Sequence, residues 1–256
     1  MICPGLVSVT FRQLKPREIV DLTRKAGLHG IEWGGDIHVP HGDIKTAEEV
    51  HKMTIDSGLS VTSYGSYYRV GCEDDNFDLF RQVLETAVKL EAPVIRVWAG
   101  TKASSDADDK YRERVAWCSK KIAELAEPAG INISFEYHGG TLTDTLESAL
   151  ALYDRIHHKN IRSYWQPRTA LSPEENKKEL ESVLPLLSNI HVFHWTLDDH
   201  GNTLRHPLAD GREVWKNYLS CLKGLPDKRY ALLEFVEKDD PAQFLKDAQV
   251  LKELLD

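Results

Sequence analysis

Short apolar runs of strand length alternate with longer segments whose apolar residues recur every three or four positions, from one end of the chain to the other. The runs are LVSVTF (6–11), GIEWG (30–34), SVTSYG (60–65), PVIRVWAG (93–100), INISFEYH (131–138), IRSYWQP (161–167), NIHVFHW (189–195) and YALLEFV (230–236). Each predicts a strand, and the segments between them predict amphipathic helices. These helices cover 17–27, 48–58, 76–92, 110–127, a stretch opening at Thr143 or Asp144, a stretch capped by Ser172 with Pro173 at its first position, 210–224 and 241–255. AGLHGIEW, SGLSVTSY and AGINISFEY share one turn grammar, a small residue and Gly closing a helix before the next strand.

Eight strand-helix units with no linker or composition break predict parallel strands covered by helices. The expectation is a single-domain (β/α)8 TIM barrel over residues 1–256, a length close to the ~250 residues usual for that architecture. An open doubly wound sheet is disfavoured because no GxGxxG follows the first strand and no GxxxxGK[ST] occurs.

Four polar residues interrupt the last four apolar runs near their ends: Glu136, Gln166, His194 and Glu234, at spacings of 30, 28 and 40 residues. One strand plus a returning helix takes about 30 residues, so side chains at that interval fall side by side at one end of a parallel sheet. In a barrel that end carries the chemistry. Strand alternation groups His194 with Ile190 and Val192, His191 with Phe193 and Trp195, and Glu234 with Leu232. Carboxylates inside a barrel are costly unless compensated, and a divalent cation held by Glu136, His194 and Glu234 would compensate them.

Net charge is −8 with no Lys or Arg block, which disfavours a nucleic-acid partner and suits a small neutral sugar. The four cysteines are scattered, and no apolar stretch approaches the ~20 residues of a membrane span. The start, MICPGLVSVTF, carries no basic leader, so the expected setting is cytoplasmic, with homo-oligomerisation allowed.

The runs GIEWGGDIHVP, FEYHGG, YWQP, HVFHW and LLEF, in this order and spacing, resemble the xylose isomerase-like superfamily of barrels, in particular its sugar phosphate isomerase/epimerase group. The resemblance implies one divalent metal, Mn²⁺ first with Mg²⁺, Co²⁺ or Zn²⁺ as alternatives. Its implied ligands are Glu136, Gln166, His194 and Glu234, Gln166 standing where the family usually has Asp. It implies proton abstraction next to a carbonyl through a metal-stabilised enediolate, with Glu136 and Glu234 as the two bases. FEYHGG is similar to the family's Glu-x-His-Gly-Gly run, which brings His138 to the substrate or beside the ligands. Further substrate-contact candidates are Trp98 and Arg96 on strand 4, His38 after strand 2, and Arg205 and His200 in the polar stretch 196–211. Glu32, Asp36 and His206 are weaker candidates, and Tyr64, Tyr67, Tyr68 and Arg69 read equally well as loop packing. The leading expectation is an isomerase or epimerase of a sugar, sugar phosphate or polyol derivative. A dehydratase or lyase on the same scaffold, and a sugar-binding barrel that has lost its metal at Gln166, are the alternatives.

Overall fold

The computed structural model describes residues 1–72 and 77–256. Among the described residues, eight parallel strands form a closed barrel, as the alternating pattern predicts, and eight α-helices follow them in the chain. Contacts group the chain into two compact units, residues 1–33, 52–60 and 165–256, and residues 34–51 and 61–164.

In the first unit, strand β1 (Ile2–Val7) lies between β2 (Gly30–Gly34) and β10 (Arg229–Leu233), and β10 pairs in turn with β7 (Leu187–Val192). Register fixes which side chains share a face. Gly5 is opposite both Gly30 and Leu232, Val7 is opposite Glu32, and Leu232 is opposite His191. Paired residues of parallel neighbours point the same way, and alternate residues of a strand share that direction. Glu32, His191, Leu232 and Glu234 therefore project to one face, whereas Ile190 and Val192 project to the other. Helices α1 (Pro16–Lys25), α6 (Pro173–Val183), α7 (Arg212–Ser220) and α8 (Pro241–Leu255) belong to this unit. Ser172 caps α6, its hydroxyl accepting from the Glu175 amide while the Glu175 carboxylate accepts from the Ser172 amide.

In the second unit, β3 (Ser60–Arg69), β4 (Val94–Trp98), β5 (Asn132–Glu136) and β6 (Ile161–Trp165) pair in chain order. Arg96 is opposite Ser134, and Glu136 is opposite Tyr164. By the same rule Arg96, Trp98, Glu136 and Tyr164 share a face. Helices α3 (Asp78–Lys89), α4 (Asp109–Ala126) and α5 (Leu146–Ile156) lie in this unit, and α2 (Ile44–Asp56) is divided between the two. Gly130 closes the turn after α4 at φ +69, a conformation that side chains disfavour.

Several boundaries differ from the expectation. LVSVTF was expected as the first strand, but β1 ends at Val7 and Ser8–Phe11 form a 3-10 turn. All four of those residues are buried: Thr10 Oγ1 accepts from the Phe235 amide at 3.0 Å, and Phe11 meets Phe244 edge-on at 5.4 Å. Tertiary contacts thus override a strand-like alternation. Helix α5 starts at Leu146 with Thr145 as its cap, because Thr143 and Asp144 have other duties: Thr143 donates to the Glu136 carbonyl and Asp144 accepts from the Ser104 amide. The expected start of α3 at Asn76 lies outside the described residues. The seventh barrel strand stops at Val192, and the polar stretch after it contains an antiparallel hairpin, β8 (His194–Leu197) with β9 (Thr203–His206). No helix among the described residues is long and apolar enough to cross a membrane.

Candidate metal and substrate site

His191 is the centre of the first unit's polar cluster. Its side chain is 0% exposed, as is that of Glu32, and Glu234 is 5% exposed, so three ionisable groups share a dry interior. Glu234 Oε2 lies 3.4 Å from His191 Nδ1, Gln166 Oε1 lies 2.9 Å from the same nitrogen, and Glu32 Oε1 lies 3.6 Å from Nε2. One ring nitrogen thus faces a carboxylate and an amide oxygen, and the other faces a second carboxylate.

Glu136 closes β5 in the second unit, buried at 3% exposure. Its Oε2 accepts from the guanidinium of Arg96 and from the indole N–H of Trp98. Arg96, itself 1% exposed, lies against the Tyr67 ring at 4.9 Å. The chain leaving β5 is held by two buried threonines: Thr143 Oγ1 donates to the Glu136 carbonyl at 2.6 Å, and Thr141 Oγ1 to the His138 carbonyl at 2.7 Å. His138 rests against Trp98 with ring centroids 4.5 Å apart, and its Nδ1 lies 2.7 Å from the Gly139 carbonyl. A carbonyl only accepts, so Nδ1 carries the hydrogen and Nε2 keeps its lone pair in the neutral ring.

Within the first unit a ring nitrogen of His191, the side-chain oxygen of Gln166 and a carboxylate oxygen of Glu234 come together, a set of donors that could hold a metal ion. The donor set fits a hard divalent cation. Adjacent ligands of an octahedral ion at ~2.1 Å sit about 3 Å apart. The 2.9 Å and 3.4 Å separations around His191 Nδ1 have that scale.

Of the four strand-end residues singled out in the sequence, the structure brings Gln166 and Glu234 to His191 in the first unit and sets Glu136 with Arg96 and Trp98 in the second. His194 stands elsewhere. It opens the hairpin, its ring 5.5 Å from that of His206, and lines a cavity of about 240 Å³ with Arg168, Phe193, Trp195 and Tyr218. Burial lowers its pKa, the nearby His206 lowers it further, and Asp210 opposes both. The expectation chose His194 by its spacing along the chain and grouped it with Ile190 and Val192. Those two point away from Glu234, and they are buried because a barrel strand is covered on both faces. The register of β7 against β10 turns His191 to the face of Leu232 and Glu234.

Arg96 and Trp98, expected as substrate contacts, both donate to the Glu136 carboxylate. His38 is buried at 4% exposure in the turn after β2. Arg205, on β9, is ion-paired to Asp239 at 2.7 Å and packs over the Phe235 ring at 4.8 Å. His200 is exposed in the hairpin turn, its amide donating to Asp198. Glu32, one of the weaker candidates, is a strand residue with no exposure. Its signal in the sequence was a carboxylate on the same parity as Gly30 and Gly34.

A closed barrel of eight parallel strands with their helices defines a (β/α)8 protein. The family model described as Xylose isomerase-like TIM barrel matches residues 20–254, and the chain belongs to that family. A 3-dehydroshikimate dehydratase of Bacillus anthracis is 27% identical over 169 residues, a match covering 62% of this chain and 59% of that protein. The chain thus matches less than two thirds of that relative's length. The crystal structure of the probable 3-DHS dehydratase AsbF of Bacillus anthracis, involved in petrobactin synthesis, superposes with a TM-score of 0.79 at 21% identity, over 98% of each chain. A D-psicose 3-epimerase solved in the presence of D-fructose gives a TM-score of 0.73 at 18% identity, over 99% of each chain. At these identities the two structures speak for the fold.

Proposed function

We propose that this protein is a divalent-metal-dependent enzyme that removes a proton from the carbon next to a carbonyl of a small polyhydroxylated substrate and then expels water. The observation that carries the reading is the convergence of Gln166 and Glu234 on the buried ring of His191. Glu136, His191 and Glu234, with the Gln166 oxygen, would hold the ion, Mn²⁺ first and Mg²⁺, Co²⁺ or Zn²⁺ as alternatives. When bound it supplies Lewis acidity to the substrate oxygens. His138 Nε2 takes the proton, because its neutral form leaves that nitrogen basic and Trp98 holds the ring in place. Arg96 and Trp98 fix the Glu136 carboxylate.

Dehydration is favoured over isomerisation by the curated relative, which is named as a dehydratase, and 3-dehydroshikimate is the first substrate to try. The second reading is epimerisation or isomerisation of a keto- or aldo-sugar. It is favoured by two buried carboxylates, Glu136 and Glu234, able to act in turn as base and acid.

Proton NMR in D₂O on Mg²⁺-loaded protein separates the readings, Mg²⁺ being the diamagnetic choice. With 3-dehydroshikimate the expected result is loss of the ring's aliphatic signals and growth of aromatic ones. Exchange of deuterium into a keto-sugar without loss of water would favour the second reading. No change in 3-dehydroshikimate or in any sugar of a keto- and aldo-sugar panel would refute both, and leave a binding barrel.

A further inference from the structure

Glu32 projects from the middle of β2 on the face shared by His191 and Glu234, and it is completely buried. A buried carboxylate is retained against a large desolvation penalty only where charge or hydrogen bonding compensates it. Its Oε1 sits 3.6 Å from His191 Nε2, on the side of the ring opposite the nitrogen that faces Gln166 and Glu234. The charges around it are informative. In the second unit Glu136 is already matched by Arg96. In the first, Glu32 and Glu234 are two carboxylates flanking an imidazole and a neutral amide, a combined charge of −2 when both are ionised.

We propose that Glu32 is a positioning residue for the metal centre: when an ion takes the place of the hydrogen that His191 Nδ1 shares with Gln166, the ring's hydrogen moves to Nε2 and the Glu32 carboxylate accepts it, so that Nδ1 can present its lone pair to the ion. It also supplies the second negative charge that Gln166 does not. A carboxylate behind a ligating imidazole fixes the ring's tautomer and orientation and raises its basicity, and removal of such a partner typically costs 10–100-fold in metal affinity. The inference rests on the metal reading above and concerns only the partner of His191.

The test is calorimetric titration of chelator-stripped protein with Mn²⁺, with the visible spectrum of the Co²⁺ form as a second readout. Glu32→Gln keeps the side chain's shape and removes its charge. The expected result is a 10–100-fold weaker Mn²⁺ dissociation constant and an altered Co²⁺ spectrum, both partly restored in Glu32→Asp. Should Glu32→Gln fold poorly, nitrogen-15 NMR of the Zn²⁺-loaded wild type decides, with the His191 hydrogen expected on Nε2. Wild-type affinity and spectrum in Glu32→Gln, or a hydrogen on Nδ1 of the loaded wild type, would overturn the proposal while leaving the metal reading standing. Absence of metal binding by the wild type would overturn both.

Discussion

His191 and His194 are three positions apart in one apolar run, and periodicity alone does not choose between them. Both parities of β7 are buried, Ile190 and Val192 as fully as His191, so hydrophobicity does not mark the inner face. The deciding information is the pairing of His191 with Leu232, which is a property of two strands. Glu136 was legible because its own run ends at a carboxylate, followed by a turn that His138, Thr141 and Thr143 hold in place. Glu32 was only weakly legible, because a single carboxylate between glycines reads as a strand end near solvent. The His138 role has its own test. His138→Gln is expected to lower kcat by about 10²–10⁴, the usual contribution of a positioned acid or base. Its Mn²⁺ affinity should stay within about threefold of wild type, since His138 lies outside the ligand group. A large loss of affinity with little loss of kcat, measured on the same preparation, would move His138 from base to ligand support.

The helices were largely legible at the scale of elements, because caps and glycine stops are local chemistry, as at Ser172 and Gly130. The hairpin of β8 and β9 was not. Its turn is built by Asp198, which accepts from the amides of His200 and Asn202 and from the Asn202 side chain, and these polar residues read equally as an irregular loop. The chain after the hairpin is fastened to α8 by Asp247, which accepts from the Leu208 amide at 2.9 Å and from Gln243 at 2.8 Å. Burial pushes the Asp247 carboxyl up, the hydrogen bonds oppose this, and Glu237 and Asp210 add to the rise. Because its folded pKa is raised, the protonated form favours folding. That contribution is complete below the ordinary carboxylate value of 3.8 and is lost as pH rises through the folded value. Asp247→Asn keeps an acceptor for Leu208 and cannot ionise. Its Tm relative to wild type is therefore expected to rise between pH 4 and pH 7, as thermal melts at the two values would read. A relative Tm that falls over this interval would contradict the assignment.

The closed barrel is the most legible feature of the whole molecule, since eight repeated strand-helix units leave few other ways to cover parallel strands. What holds its strands together is less visible. Gly5 on β1 is so closely flanked that an added Cβ would come within 2.7 Å of the Gly30 carbonyl oxygen and 2.4 Å of Leu232. Gly5→Ala is therefore expected to destabilise the fold by about 1–3 kcal/mol in urea unfolding, the range for overpacking. The same register brings Glu32, His191 and Glu234 to one face, so barrel and polar centre share one cause. That makes one comparison decisive for the account: Mn²⁺ titration of chelator-stripped wild type, His191→Ala and His194→Ala. The account predicts about one ion per chain for the wild type, loss of at least about 100-fold in affinity for His191→Ala, and near wild-type affinity for His194→Ala. A wild type that binds no ion, or a His191→Ala protein that binds as well as the wild type, would contradict it.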